Sequence, residues 1–281
     1  MADLRDDARA MNGGRGLTRA VAGWAPALAA VALAALGTLA LLAPAPAAAA
    51  PTVHFKAEPV PIPGYPHTGF ILGAGTALIA EYQISGTEYG GFPPPLINVS
   101  FYLPEGTQLH PSGFPTCPVA TLEPSGPGPK KCPKGSLAGT GAGTGYVAFG
   151  KEIVPETASI QAFYAAGGGL TFFTFGHEPV LLEILSKGHY IPAAAPFTKE
   201  LESQVPLVET VPGAQDASVK SIHIEVGTAM RRGGKPVFYG RLPRHCPKGF
   251  LPVKTALTFA GLGGLSQQTV TVEYKAPCPR R

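Results

Sequence analysis

The segment CPKGSLAGTGAGTG, residues 132–145, combines glycines, a lysine and a serine as loops that wrap phosphate groups do. A Walker-type loop needs its lysine after the glycines and a helix behind it, whereas Lys134 precedes them and no helical periodicity follows. The dinucleotide pattern G-x-G-x-x-G is absent too, since neither Gly139 nor Gly141 begins one. Glycine instead occupies every second position, which predicts a strand with one bare face where a backbone or a large side chain packs closely. We expect residues 137–149 to be extended and sheet-paired.

Nucleophilic hydrolysis is the strongest enzymatic alternative. Ser136 lies in GSLAG, which does not match the G-x-S-x-G elbow of hydrolases. Asp216 is the single aspartate after residue 49, so a Ser-His-Asp triad would have to use it or a glutamate. His177 and Glu178 are adjacent, and adjacent residues on a strand point to opposite faces. The sequence therefore assigns no catalytic residue, and aspartate-poor loops without a C-x-x-C pair indicate no metal site or cofactor.

A cluster of basic residues surrounds a glycine pair at positions 233 and 234, which is typical of a hairpin turn. One interpretation is a solvent-exposed hairpin whose charges prevent its edge strands from pairing with strands of other molecules. The other is contact with an anionic wall polymer or lipid head group. The six residues are Arg231, Arg232, Lys235, Arg241, Arg244 and Lys248.

All four cysteines, Cys117, Cys132, Cys246 and Cys278, follow the N-terminal segment. An even count in an exported chain favours disulfides, for which three connectivities exist. Pairing neighbours in sequence closes the smallest loops, so we expect Cys117–Cys132 and Cys246–Cys278.

The N-terminal segment has the order of a secretory signal peptide. Arg15 and Arg19 precede an apolar run over residues 21–43, and Ala47-Ala48-Ala49 offers a cleavage site. The alternative is an uncleaved membrane anchor, since about 20 apolar residues can span a bilayer. Met11 is an alternative start to Met1. We expect residues 1–49 to be removed, leaving no membrane span.

The remaining residues, 50–281, are enough for one large core, and we expect a single domain with a boundary near residue 200 as the alternative. The formal net charge of +4 is too small to indicate a nucleic-acid partner. Period-two alternation and frequent Pro/Gly turns predict short strands. These are residues 52–56, 77–84, 97–103, 159–164, 170–175, 180–185, 221–226, 236–242, 253–259 and 269–274, with one short helix over 198–203. The predicted fold class is all-β, an antiparallel β-sandwich of Ig-like or jelly-roll type, stapled by disulfides.

Short motifs add a resemblance over residues 75–280. They are FYLPEGT at 101–107, the Cys117-Pro118 pair, CPKGSLAGTGAG at 132–143, HCPKGFLPVKTALTF at 245–259 and Cys278-Pro279. In this order they resemble exported β-rich proteins of soil actinobacteria with recurring Cys-Pro motifs. The resemblance implies export and a β-rich body, and it carries no catalytic or ligand-binding residue with it.

Together these features predict a secreted or envelope-associated protein, a non-catalytic domain for binding or scaffolding. Its expected partner is an anionic cell-wall polymer or another envelope protein. The alternative is a secreted hydrolase or carbohydrate-active enzyme that uses glutamate and histidine residues.

Overall fold

A computed structural model describes residues 50–149 and 152–279. The signal-peptide prediction for residues 1–49 lies outside this range. The described chain is built almost wholly from antiparallel strands, which confirms the predicted all-β class. No helix in these two ranges is both long and apolar enough to cross a membrane.

Fifteen strands and one single-turn helix make up the described regular structure, apart from two short 3₁₀ turns. The strands are β1 (Thr52–Val60), β2 (Gly75–Ser85), β3 (Leu96–Pro104), β4 (Gln108–Leu109), β5 (Leu137–Phe149), β6 (Glu152–Tyr164), β7 (Leu170–Glu178), β8 (Leu182–Pro192), β9 (Phe197–Gln204), β10 (Ser218–Val226), β11 (Ala229–Arg232), β12 (Lys235–Phe238), β13 (Gly240–Arg241), β14 (Phe250–Phe259) and β15 (Gln268–Pro277). The helix, α1, spans Val119–Leu122.

Thirteen strands hydrogen-bond into one antiparallel sheet, while β11 and β12 form a separate hairpin. Its order is β15-β14-β3-β9-β8-β7-β6-β5-β10-β2-β13-β4, and β1 pairs with β2. The stretch from β5 to β9 is an up-and-down meander with short connections, because each strand pairs with the next one in sequence.

The sheet folds over so that its two halves face each other, as in a sandwich. β14 shows why, since its residues alternate strictly between half-buried and buried and so present one apolar face to the core. The ring of Phe55 on β1 lies 5.9 Å from Phe101 on β3 and 6.4 Å from Tyr274 on β15. Tyr274 also donates its hydroxyl to Glu58 on β1 at 3.1 Å. Side chains therefore connect β15, the first strand of the order, with β1, which pairs with β2 near its other end.

The glycine-rich segment is β5, extended and paired over Leu137–Phe149, as its alternation predicts. A Cβ on Gly139, Gly141 or Gly145 would overlap backbone atoms of the neighbouring β10. The bare face therefore admits another backbone, which confirms the structural interpretation and excludes a phosphate loop at this position.

The helix expected over residues 198–203 is wrong, because these residues belong to β9. Glu200 and Glu202 alternate with Leu201 in period two, as residues of a strand do. Leu201 pairs with Phe101 on one side and Tyr190 on the other, so the neighbouring strands decide the conformation.

Both predicted disulfides are present, Cys117–Cys132 and Cys246–Cys278. The first closes a loop whose Leu122 packs with Phe163 and Phe173 in a small second core. The second connects the segment before β14 to the residue after β15, next to the ten residue pairs that β14 and β15 form.

The part of the chain from residue 48 onwards is one compact unit. Residue 200 lies inside β9, which pairs with β3 from the first half of the sequence. Likewise β10 lies between β2 and β5. β10 and β14, which follow residue 200, therefore pair with β2, β5 and β3, which precede it, in the same sheet.

Candidate functional site

A cavity of about 310 Å³ lies between the two halves of the sheet. Its walls are the inward-facing side chains of β2, β3, β5 to β10 and β14. Most are aliphatic or aromatic, such as Leu78, Phe101, Ile160, Phe172 and Ile184. No lysine, arginine or histidine lines it, so the cavity suits an apolar molecule without a negative charge.

The cavity exists because one part of its wall carries almost no side-chain volume. Gly143 on β5 pairs with Ala158 on β6, and Ala158 pairs with Gly176 on β7. Cross-strand partners share a face, so these three small residues form one row that faces the interior. Large residues there would fill a core of normal density, and their absence leaves space.

Tyr190 and Tyr239 line one end of the cavity, and Tyr164, which lies outside the lining, packs with its ring centroid 4.4 Å from that of Tyr239. Tyr239 donates its hydroxyl to the carbonyl of Gly168 at 2.8 Å, and the Tyr164 hydroxyl lies 2.6 Å from Thr228 Oγ1. Burial raises the pKa of Tyr239 to about 12 and also raises those of Tyr164 and Tyr190. These phenols are therefore neutral at physiological pH and act as hydrogen-bonding groups.

Two buried hydroxyls face the cavity without a hydrogen-bond partner among residues 50–149 and 152–279. Ser186 on β8 and Ser203 on β9 are 7% and 5% exposed, and both line the cavity. Neither side chain forms a hydrogen bond with any residue in the described part of the chain. A buried hydroxyl normally has a partner, so these groups are available to a polar atom of a ligand or to water.

Glu156 is the single charged side chain in the cavity wall and is 5% exposed. Its two carboxylate oxygens accept the backbone N–H groups of Glu178 and Val180 at 3.0 and 3.1 Å. The carboxylate therefore fixes the β7–β8 turn, and these two hydrogen bonds compensate for its burial.

The two ends of the cavity differ in exposure. We call the end near Tyr239 the closed end, because its lining residues Leu242 and Pro243 are buried. The open end lies under the β9–β10 loop, residues 205–217, whose Pro206 lines the cavity and is exposed. This loop crosses from β9 to β10, and Thr210 donates its hydroxyl to the carbonyl of Ala148 at the end of β5.

Exposed apolar side chains surround the open end. Leu181, at 75% exposed, precedes the lining residue Leu182 in the β7–β8 turn. Leu207 in the β9–β10 loop is 45% exposed and stands between the lining residues Pro206 and Val208. An apolar rim of this kind is typical of an entrance for an apolar ligand.

The six predicted basic residues lie beyond the closed end. Arg231 and Arg232 are on β11, Lys235 is on β12 and Arg241 is on β13. Among the described residues none of the six forms an ion pair. Arg241 donates to the carbonyl of Gly73 at 3.5 Å and lies 5.3 Å from the ring of Phe238. Arg244 and Lys248 follow in exposed turns.

Histidine and glutamate side chains meet on the outer faces of the sheet. His223 Nδ1 lies 3.1 Å from Glu81 Oε1 in a surface groove of about 390 Å³. Ser221 lies in the same groove, but its hydroxyl bonds to Thr144 Oγ1 at 2.6 Å. Elsewhere His177 Nε2 contacts Ser159 Oγ at 3.0 Å on an exposed face.

No group of three potential metal ligands occurs among residues 50–149 and 152–279. Ser136 and Asp216, the two residues considered for a catalytic triad, lie in separate parts of the structure with other contacts. Ser136 is buried and donates to the carbonyl of Pro133 at 2.7 Å, whereas Asp216 lies in the β9–β10 loop.

Sequence reasoning missed the cavity. Its signal was the presence of small residues at inward positions of three consecutive strands. The sequence of each strand shows which residues share a face. The register that places Gly143, Ala158 and Gly176 side by side is a property of the assembled sheet.

Fold and site together define a disulfide-stapled, all-β protein with an apolar interior cavity. No family model, curated protein or solved structure matches the chain. The resemblance to exported actinobacterial proteins therefore stays a prediction from the motifs.

Proposed function

We propose that the chain is an exported, non-catalytic binding protein that holds a small neutral apolar molecule in the cavity. The observation that carries this proposal is the cavity itself, which is apolar, about 310 Å³ in volume and has one exposed lining residue, Pro206, in the β9–β10 loop. Protein cores are close-packed, so a space of this size in a folded domain requires an occupant or a function.

The lining narrows the class of ligand. A carboxylate or phosphate buried here would meet no cation, and Glu156 would repel it. The free hydroxyls of Ser186 and Ser203 favour one hydroxyl or carbonyl group on an otherwise apolar body. A neutral lipid-like molecule with one hydrogen-bonding group meets both conditions.

Export is supported by the two disulfides, which are typical of proteins outside the reducing cytosol. The predicted signal peptide agrees with this location. The predicted envelope contact of the six basic residues is supported by their lack of carboxylate partners in the described chain.

Filling the cavity tests the binding function. The Ala158→Phe variant places a ring in the row of small residues, so binding of the neutral apolar dye Nile red should weaken by about tenfold or more. Thr157→Phe is the matched control, because Thr157 is the neighbouring residue on the exposed face of β6 and should leave binding unchanged. Equal dye binding by Ala158→Phe and the native protein, with both folded by circular dichroism, would contradict the proposal.

A second candidate function, a secreted hydrolase, is favoured by the hydrogen bond between His223 and Glu81 beside Ser221. This arrangement lacks a serine-histidine contact, because the Ser221 hydroxyl bonds to Thr144. We expect the protein to leave p-nitrophenyl esters and glycosides intact. Turnover that is lost in His223→Ala and kept in His189→Ala would establish the hydrolase instead.

A further inference from the structure

A short turn beyond the closed end presents two apolar side chains to solvent. Phe70 is 53% exposed and Ile71 is 43% exposed. The turn is closed by hydrogen bonds, since Gly69 N–H donates to the Gly75 carbonyl at 2.8 Å and Ala74 N–H to the Ile71 carbonyl at 3.1 Å. The two side chains are therefore held in a defined position.

Two arginines lie directly against this turn. Gly73 N–H donates to the carbonyl of Pro243 at 3.0 Å, which joins the turn to the segment between Arg241 and Arg244. Arg241 donates to the Gly73 carbonyl, and the side chain of Arg244 lies beside Gly73. Apolar and cationic groups thus occupy one surface.

The β11–β12 hairpin extends that surface. Phe238 at its base contacts Gly75, whose missing Cβ leaves room for the ring, and lies 5.5 Å from the ring of Tyr65. The exposed hairpin end carries Arg231, Arg232 and Lys235. Arg232 reaches back to the carbonyl of Ser112 at 3.5 Å.

We propose that this surface docks the protein on an anionic lipid bilayer. It consists of Phe70, Ile71, Arg231, Arg232, Lys235, Arg241 and Arg244, and we call it the docking surface. The cations bind lipid phosphates, while Phe70 and Ile71 enter the head-group region, where aromatic and aliphatic side chains gain from leaving water.

The apolar turn distinguishes a bilayer from a soluble polyanion. Attraction between the arginines and a soluble polyanion needs no exposed phenylalanine beside them, whereas an apolar patch next to cations suits the head-group region of a bilayer. The open end of the cavity is the competing apolar surface. Its exposed apolar side chains are Phe149, Leu181, Leu207 and Val211. The residues around them include Glu178, Glu183 and Glu209, which an anionic bilayer repels.

Docking in this way leaves the open end of the cavity facing away from the bilayer. Gly240, Leu242 and Pro243 line the closed end, and Arg241 and Arg244 alternate with them on the outer side. The docking surface is thus the outer side of the wall that closes the cavity. The inference does not depend on ligand binding, because Ala158→Phe should keep full vesicle binding.

Vesicle co-sedimentation of the chain from residue 50 tests the proposal. With vesicles of equal parts phosphatidylglycerol and phosphatidylcholine, we expect binding that weakens by about tenfold in Phe70→Ser/Ile71→Ser. A similar loss should follow in Arg231→Gln/Arg232→Gln/Lys235→Gln, which changes only the hairpin end. Pure phosphatidylcholine vesicles should bind the native protein weakly.

Matched controls lie at the open end, where Leu181→Ser removes the most exposed apolar side chain and Lys220→Gln removes a cation. Both should bind vesicles as the native protein does. Loss of binding in Leu181→Ser would place the membrane contact at the open end and overturn the proposal. So would an unchanged Phe70→Ser/Ile71→Ser variant together with tight binding of a soluble teichoic acid, or no vesicle binding at all.

Discussion

Glycine in β5 acts through close approach between backbones. Gly141 pairs with Ile224 on β10 and with Ile160 on β6, so β5 is enclosed on both sides. A Cβ at Gly141 would overlap the carbonyl oxygen of His223. The glycine is therefore required by the distance between two strands, since its own backbone is ordinary extended structure.

Gly141→Val should accordingly destabilise the fold by about 2–3 kcal/mol, because the added side chain forces the strands apart. Chemical denaturation measures this as a lower midpoint. The control is Ala142→Val, one residue away on the exposed face, where β-branched residues fit a strand well. A stable Gly141→Val variant would show that β10 can move away without loss.

The disulfides stabilise two separate elements. Cys117–Cys132 closes a loop with a separation of 15 residues, and Cys246–Cys278 closes one of 32. In the chain-entropy account, losing the first costs about 3 kcal/mol and losing the second about 4 kcal/mol. Denaturation of Cys117→Ser/Cys132→Ser and Cys246→Ser/Cys278→Ser checks both the order and the size. The order would be reversed if the small core around Leu122 collapsed in the first variant.

The β9–β10 loop carries a pH-sensitive carboxyl group, that of Asp216. Burial, and then the charge of Glu209 across the loop, raise the pKa of Asp216. The native loop therefore binds a proton more tightly than the unfolded chain does. Its stability rises as the pH falls through the raised pKa towards the ordinary aspartate value, and declines again as the pH rises.

Hydrogen exchange of amides 209–217, corrected for intrinsic rates, should show slower opening of the loop at pH 4 than at pH 7. Asp216→Asn removes the charge at both pH values, so its exchange should be slow at pH 7 and should depend less on pH. Equal pH dependence in Asp216→Asn and the native protein would assign the effect to another group.

At the scale of the whole molecule, strands that follow the β9–β10 loop pair with strands that precede it. β9 pairs with β3 and β8, while β10 pairs with β2 and β5. Each disulfide lies entirely on one side of the β9–β10 loop. Strand pairing and side-chain contacts such as Tyr274–Glu58, but no disulfide, therefore connect the segments before and after this loop.

Proteolytic cleavage within residues 205–217 should thus leave two fragments that elute together in size-exclusion chromatography. They should separate in denaturant without any reductant, since no disulfide joins them. Separation in native buffer would mean that the two segments are independent units, as the alternative boundary near residue 200 implies.

Local patterns were enough for the all-β class, the glycine strand and both disulfide pairs. Alternation in β10 and β15, frequent turns and the short cysteine spacings are visible in single segments, because side chains on a strand repeat every two residues. The helix prediction for residues 198–203 was wrong, because these residues form a strand through pairing with β3 and β8, which no local pattern shows.

The cavity and the docking surface depend on contacts between residues far apart in sequence. Gly143, Ala158 and Gly176 become one row only through the register of three strands, and Arg241 reaches Gly73, in the turn that carries Phe70, because β13 pairs with β2. A one-residue change of register would move each side chain to the opposite face. The amino-acid sequence by itself thus determined the all-β class and the apolar face of strands such as β10 and β15. Only the assembled sheet decided that residues 198–203 form a strand and which apolar faces enclose the cavity.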